Sequence, residues 1–402
     1  MMFILAVFAT GLSFLPHGKP TSIVNTPEAQ VLIDWIRERG GYVDPRLSIR
    51  HEVPTDLTTI RGVFSEAPIV EGELLLRVPW ELCIAPTAPK SESNCATTSQ
   101  CLCDTELNLR ETLNKGNASM HGPYVQLLLD KKLELPDLWS DEERALLIRL
   151  LGNELPPKPE RLTSHSKWWS SECHGDLSDP LALKSLLLLV TRGVQVYDPE
   201  WTIMTPVFDF LNHRNGAWTN TRLGSGAMED FELYADKGIA AGEQLYFSYN
   251  WGPDELFIHY SFVEQYPQQW AFEVDDSFGI SSSFQRVEFT LDEAEETAGS
   301  QNSSTSNTVL WEGGSPQDCV PSLEVVTALE RLLERLKIRR AAEFMDNTTN
   351  ESPHFGLIEA YVSAVQMALE AAVTAGYAFH NDYNEKNAAV MSRRSETPPE
   401  EL

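Results

Sequence analysis

Three short stretches of this chain join apolar residues to a few polar ones that a hydrophobic core has no use for. They are Pro206–His213 (PVFDFLNH), Gly242–Trp251 (GEQLYFSYNW) and Asp254–Pro267 (DELFIHYSFVEQYP). Within them Asp209, Asn212, His213, Tyr249, Tyr260 and Phe262 are the side chains with chemistry to offer. Asn212 and His213 follow an apolar run, where a strand leaves a core. A lone buried histidine is usually a satisfied core residue, and the neighbouring Asn and Asp209 shift this one towards ligand binding. Tyr249 follows a short strand and is either a strand tyrosine with a satisfied hydroxyl or a hydroxyl presented to a site. Tyr260 and Phe262 fall on a helical pattern, where packing and closing a channel are equally open. Upstream, Arg192 ends the apolar helix LLLLVTR, a position that a cation also favours through the helix dipole. Other chemistries find little support. No GxGxxG or GxxxxGK[ST] loop appears, so phosphate cradles are absent, and Cys173-His174 are sequence neighbours, which rarely form a catalytic pair.

The elements that must position these residues are short. Helical spacing over residues 28–40 places Val31, Leu32, Trp35 and Ile36 together, closed by Gly40-Gly41. Leu47–His51, Gly62–Phe64 and Glu73–Val78 have β character, punctuated by prolines. Residues 87–105 read as a loop, and Tyr124–Leu155 as helical, with Ser140 and Glu143 spaced as a capping box. Leu181–Val190 is a Leu-rich helix. Strands return at Thr202–Val207, Phe231–Ala235 and Gln244–Ser248, and a helix follows at Asp254–Gln265. Residues 276–321 read as a strand or two and then a flexible linker. From Ser322 the chain is helical, with one apolar stripe through Leu323, Val326, Leu329, Leu332, Leu333 and Leu336. This order lacks the regular alternation of a doubly wound sheet.

The 402 residues carry 31 Lys+Arg against 59 Asp+Glu, a net charge of −28. So negative a field excludes nucleic acid as a favoured partner and suits a basic protein segment, although it also serves solubility. Six cysteines are too few for a disulfide scaffold. Cys95, Cys101 and Cys103 cluster in a Ser/Thr/Asn-rich stretch that reads as a loop insertion rather than a metal site, and Cys83 and Cys173 read as ordinary thiols. The first residues, MMFILAVFATGLSFLP, form an apolar run too short to span a bilayer and lacking a basic start; they read as a targeting leader or a disordered segment. No other stretch reads as membrane-spanning. Sequons at Asn117, Asn302, Asn347 and Asn350 matter only if the chain enters the secretory pathway.

The segment Pro206–His213 resembles the (P)xxDxxNH signature of SET-domain protein methyltransferases. The likeness continues in order. Arg61-Gly62-Val63 with IVEGELLLRVP resembles the opening strands of that family, Gly242–Tyr249 the strand that delivers its active-site tyrosine, and Tyr260–Val263 the motif that follows. GPYVQLLL and LPDLWSDEE resemble the helical insertion of the class typified by the Rubisco large-subunit methyltransferase. The resemblance spans roughly residues 30–267. It implies an α+β chain: a SET β-fold of short sheets with a pseudo-knotted crossing, a helical insertion and a small helical C-terminal region. The boundaries it implies are a leader or disordered start over 1–26, the SET domain over 27–268 with its insertion at about 89–190, a strand and flexible linker over 269–321, a substrate-binding-like helical region over 322–384, and a disordered tail over 385–402.

The resemblance also implies S-adenosylmethionine as cofactor, no metal, and transfer of a methyl group to a nitrogen of a protein substrate, lysine above all. Tyr249 is then the catalytic hydroxyl. Arg61, Gly62, Arg192, Asp209, Asn212, His213, Tyr260 and Phe262 are then cofactor-binding. The expected partner is a basic, non-histone protein with an exposed lysine, met by a monomer in the cytoplasm or an organelle. No Cys-rich segment follows Tyr249, unlike the zinc-binding tail of histone-directed relatives. Three departures stand out: Ile60, Asn250 and Ser261 occupy positions where the family prefers glycine. Ile60 and Ser261 keep open a silent SET-fold module that binds basic peptides, and the site chemistry keeps open histidine as acceptor.

Overall fold

The computed structural model describes residues 25–53, 61–86, 98–129, 133–197, 200–224, 230–275, 284–293, 307–312, 320–345 and 352–395. Ile60, Cys95 and the sequons at Asn302, Asn347 and Asn350 lie outside the described residues. In chain order the elements are α1 (Pro27–Glu38), β1 (Tyr42–Val43), β2 (Leu47–His51), β3 (Arg61–Ser65), β4 (Leu74–Pro79), α2 (Thr98–Lys115), α3 (Gly122–Leu129), α4 (Asp141–Leu151), α5 (Ser164–Glu172) and α6 (Pro180–Arg192). Then come β5 (Val194–Tyr197), β6 (Glu200–Ile203), β7 (Asn212–His213), β8 (Thr221–Leu223), β9 (Asp230–Ala235), β10 (Tyr246–Phe247), α7 (Pro253–Tyr260), β11 (Gln268–Asp275), β12 (Phe284–Asp292), β13 (Thr308–Trp311), α8 (Leu323–Met345) and α9 (Phe355–Ser395).

Local chemistry sets the helix starts. Thr26 accepts the Ala29 N–H ahead of α1, with Pro27 at the first helical position. Asp179 accepts from Leu181 and Ala182 ahead of α6. Ser140 and Glu143 form the reciprocal capping box expected for α4.

Two large hydrophobic cores, beside a small cluster of Trp169, Ala182 and Leu186 between α5 and α6, follow from the packing of these elements. The first gathers α1, the sheet β1-β4-β9-β8, the β2–β3 pair, α2, α3 and the end of α6. The second gathers α4, Phe257 of α7, the sheet β11-β12-β13, α8 and α9, around Trp270, Phe272, Phe289 and Tyr361. By length and composition alone Phe355–Tyr383 in α9 could cross a membrane, but half of its apolar window is buried in the second core.

Several expectations change. Of the loop expected over 87–105, residues 87–97 lie outside the described residues and 98–105 belong to α2, because Leu109 and Leu113 pack into the first core and outweigh the polar composition. Cys173 is not an ordinary thiol: it is disulfide-bonded to Cys103, tying α5 to α2, and Cys101 is disulfide-bonded as well. Thr202–Val207 is a strand only to Ile203, since Val207 sits at φ +70°, outside any strand. Gln244–Ser248 contracts to Tyr246–Phe247. The helix at 254–265 ends at Tyr260 because Ser261 turns left-handed. The strand-and-linker stretch contributes β11, β12 and β13, whose inward faces fill the second core. α9 continues to Ser395, through part of the tail expected to be disordered. Val31, placed with the apolar face of α1, is 56% exposed, and Ala29 and Ile33 are buried in its stead.

Glu143 joins α4 to α9. Beyond its capping box it accepts from the Ser352 hydroxyl at 2.6 Å and lies 2.8 Å from Nδ1 of His354, whose ring stacks on Trp139. Burial pushes its carboxyl up, but the hydrogen bonds from Ser352, Ser140 and His354 win and pull it down to about 2. A depressed carboxyl adds stability above its unfolded value, lost as pH falls through its folded one. Glu143→Ala should therefore cost about 2–4 kcal/mol at pH 7, from one cap and two further bonds. Denaturant unfolding should show the gap to wild type shrinking as pH falls from about 4.5 towards about 2. A gap independent of pH would place the loss in packing alone.

Candidate active site

β7 runs parallel to β10, with Asn212 opposite Tyr246 and His213 opposite Phe247. Two segments far apart in sequence thus lie side by side, as expected of the crossing. The approach to β7 is strained. Val207, β-branched and buried, holds φ +70° before the single helical turn Phe208–Phe210, a conformation that costs on the order of 1–3 kcal/mol.

β3 meets this pair at Gly62. Asn212 donates its side-chain amide to the Arg61 carbonyl at 3.3 Å. A Cβ on Gly62 would lie 2.3 Å from Nε2 of Gln244 and 2.9 Å from Nδ2 of Asn212, so the backbone can come this close only without a side chain. The Arg61 guanidinium lies 4.4 Å from the centre of the Phe210 ring, and that of Arg192 5.8 Å from it. Arg192, in the last turn of α6, donates to the Asp209 carbonyl at 2.7 Å and lies 3.4 Å from its fully buried carboxylate. Nε of Arg192 is buried without a hydrogen-bond partner.

Tyr249 completes the centre. Its hydroxyl donates to the Leu211 carbonyl at 2.7 Å, and its backbone N–H donates to Nδ1 of His213 at 3.0 Å. Because Nδ1 accepts, the ring proton of neutral His213 belongs on Nε2, 2.9 Å from the buried Glu264 carboxylate. Burial pushes the Tyr249 hydroxyl up to about 12, with Arg192 opposing and Asp209 reinforcing. The Tyr260 ring lies 4.9 Å from that of Tyr249, and its hydroxyl is also raised, by burial first and then by Tyr249. Phe262 lies beyond the end of α7, 6.3 Å from His213, and not on a helix. Two of the departures from glycine hold left-handed backbone: Asn250 at φ +58° and Ser261 at φ +57°. Asparagine tolerates this better than serine.

These residues line one cleft of about 690 Å³, within the size of small-molecule sites. Arg61, Arg192, Asp209, Asn212, His213, Tyr249, Tyr260 and Phe262 all reach it, and Gly62 forms the contact just behind it. Residues that sequence reading did not single out are there too: Gln244, Tyr246 and Glu264, and from the far end of the chain His354 and Leu357 of the α9 region. Glu264 was recognisable only as an acid next to a singled-out motif. His354 had no signal, being 141 positions from His213. A second cleft, about 420 Å³, opens along Asn250–Gly252 between α7, the segment Glu154–Arg161 and the β11–β12 sheet. Six carboxylates line it (Glu154, Asp254, Glu255, Glu273, Glu288, Glu312) against three cations, Lys158, Arg161 and Arg286. Among the described residues no cluster of His, Cys, Asp or Glu is arranged to hold a metal.

Comparison with known proteins agrees with this geometry. The family described as SET domain matches residues 60–250. A structure of Rubisco LSMT bound to sinefungin and monomethyllysine superposes with a TM-score of 0.52 at 16% identity, covering 90% of this chain and 93% of that one. A structure of the SET domain of LSMT bound to lysine and AdoHcy gives 0.52 at 16% identity, over 89% and 92% of the two chains. Rubisco LSMT bound to AdoMet gives 0.50, again at 16% identity, over 90% and 93%. No curated protein sequence matches. From the motifs, the crossing of β7 with β10 and the family match together, residues 60–250 of this chain match the SET domain and carry its fold, within a chain that superposes on the Rubisco LSMT structures.

Proposed function

We propose that this protein is an S-adenosylmethionine-dependent protein N-methyltransferase whose acceptor is a lysine. One observation carries the reading: the Tyr249 hydroxyl commits its proton to the Leu211 carbonyl at the edge of a cleft that also holds Arg192 with a buried, unpartnered Nε. The residues fit the cofactor. Arg192 and Arg61 offer cations for its carboxylate, Gly62 lets backbone approach, and Asn212 with Phe262 and Tyr260 provides polar and aromatic walls for its adenine end. S-Adenosylmethionine supplies a sulfonium-bound methyl group to a nitrogen nucleophile. The solved relatives were crystallised with AdoMet, AdoHcy, sinefungin, lysine or monomethyllysine, which supports both cofactor and acceptor.

The chain's own part is positioning and electrostatics. With its hydroxyl raised to about 12, Tyr249 stays protonated near neutrality and is no base. Its proton points at Leu211, which leaves oxygen lone pairs to face a polarised methyl group. The same site holds donor and acceptor in line. An acceptor lysine, ordinarily near ~10.4, sheds its proton on leaving water for the aromatic enclosure of Tyr249 and Tyr260. The acidic second cleft beside Asn250–Gly252 and the net charge of −28 support a basic segment around that lysine. Absence of a Cys-rich segment after Tyr249 supports a non-histone substrate. The Cys103–Cys173 bond and the apolar N-terminal run support an organellar or secretory setting over the cytoplasm.

A silent binding module is the second reading. Ser261 favours it, since its strained backbone places a buried, unpartnered hydroxyl in the cleft wall where glycine leaves room. Calorimetric titration with S-adenosylmethionine separates the two, and absence of binding at millimolar ligand sinks the enzyme. Labelled cofactor, incubated with the full chain and a cell extract and followed by site mapping, then identifies the acceptor; label on histidine would replace lysine in the reading.

Tyr249→Phe should bind cofactor as wild type does yet lose about 100-fold or more in methyl transfer, the scale of one lost electrostatic contact at a reacting centre. For the wild type the rate should climb with pH as the acceptor deprotonates, with no downturn from Tyr249 until its value of about 12 is approached. Full activity in the Phe variant would place the reaction elsewhere. Gly62→Ala acts on binding instead. Its methyl must displace the Gln244 and Asn212 amides, so cofactor Kd should rise about 10-fold or more, with the loss appearing in KM for the cofactor. An unchanged Kd would remove Gly62 from the cofactor's path.

A further inference from the structure

Glu264 is a buried carboxylate with no role so far in binding or transfer. Its side chain is 1% exposed and lies four residues past the end of α7. One oxygen, Oε2, accepts from two directions: Nε2–H of His213 at 2.9 Å and the Asn215 amide at 3.0 Å. Each of those residues holds the Tyr249 segment. His213 accepts the Tyr249 N–H at 3.0 Å. Asn215 accepts the Ser248 hydroxyl at 2.7 Å and donates to the Trp251 carbonyl at 3.5 Å. The Ser248 oxygen in turn accepts the Asn250 N–H at 3.1 Å, just where Asn250 turns left-handed. Glu264 is itself anchored, because Gln268 donates to its backbone carbonyl at 2.7 Å.

We propose that Glu264 is a positioning residue for methyl transfer. It fixes His213 as the Nε2–H tautomer and so sets the backbone from which Tyr249 presents its hydroxyl. The logic lies in which ring nitrogen carries the proton. The Tyr249 N–H needs a lone pair on Nδ1, so the ring proton must sit on Nε2, and Nε2–H then needs a buried acceptor. Glu264 is that acceptor. Remove it and the ring is free to carry its proton on Nδ1, where it opposes the Tyr249 N–H instead of receiving it. The titratable and charged groups around the pair come from several elements: Arg214 beside β7, the neutral Tyr249 after β10, and Glu264 itself after α7. Arg214 sits 2.8 Å from the Tyr266 carbonyl and keeps the 264–266 segment against β7.

This role rests on the methyl-transfer reading, but its test does not. In the full chain labelled with ¹⁵N-histidine, the ring spectrum reports each tautomer, and His213→Asn identifies the resonance by its loss. Wild type and Glu264→Gln should show His213 protonated at Nε2, since the Gln carbonyl still accepts. Glu264→Ala should show protonation shifting to Nδ1. In methyl transfer Glu264→Ala should lose about 10- to 100-fold in kcat, a larger change than any in cofactor Kd, the scale of losing a residue that orients a functional histidine. Glu264→Gln should keep most of the rate, a rescue that a purely space-filling role would not produce. His213 protonated at Nδ1 in the wild type, or Glu264→Ala with wild-type tautomer and kcat, overturns the proposal. If Glu264→Ala does not fold, the wild-type and Gln spectra decide. If no methyl transfer is found for any variant, the reaction assignment fails while the spectra still settle Glu264.

Discussion

One hydrogen bond, from the Tyr249 backbone to Nδ1 of His213, governs how the site is built. It can form only if β7 and β10 lie parallel and in register, and that pairing requires residues 214–245 to return the chain to the same edge. It requires His213 to carry its proton on Nε2, the tautomer that a buried acceptor in the segment after α7 holds. The Tyr249 hydroxyl is aimed by the same arrangement, since Leu211, whose carbonyl receives it, directly precedes β7. Backbone geometry, ring protonation and hydroxyl direction are therefore one constraint. The left-handed residues Asn250 and Ser261 follow from it, as the chain must turn sharply on either side of α7 to bring Tyr249 and Glu264 back to one histidine.

The rest of the fold holds this crossing from two sides. The first core fixes β3, β4 and β9 behind it, while α6 delivers Arg192 from the helical insertion. The second core brings the start of α9 to the rim of the same cleft, where His354 and Leu357 line it. The cleft is thus walled by segments from residue 52 to residue 357, and no contiguous stretch contains it.

The motif residues were legible because their types are unusual where they stand. An Asn-His pair after an apolar run, a tyrosine closing a short strand and an Arg-Gly before another are polar choices that packing does not ask for. Residues that act through partners were not legible. Glu264 and Asn215 are ordinary surface types by composition, and only the fold shows them buried around His213. Of the fold, α1, β2, α4 with its capping box and α6 were readable from periodicity and caps. α2 was not, because its apolar positions are diluted by Ser, Thr and Asn while burial of Leu109 and Leu113 decides its state. The β11–β13 sheet was legible only in part, as a strand or two before a linker, because polar residues alternate with its buried aromatics, which suits a half-exposed sheet and resembles a linker in composition. The Cys103–Cys173 pair spans 70 residues, beyond anything spacing reveals. Asn250 and Ser261 read as departures from a glycine pattern, and the structure gives the reason that pattern exists: both backbones are left-handed.

Glu143 has a consequence for how the molecule comes apart. It closes the first turn of α4 and at the same time receives Ser352 and His354 ahead of α9. Arg339 of α8 repeats the tie at the other end of α4, donating to the Leu151 carbonyl at 2.8 Å and to Glu154 at 2.5 Å. Both ends of one insertion helix are therefore tied to the C-terminal region. Detaching that region would cost Glu143 two donors and the Leu151 carbonyl one, so opening of the C-terminal region is coupled to the stability of α4. These ties cross the boundary that sequence composition draws between the insertion and the C-terminal region.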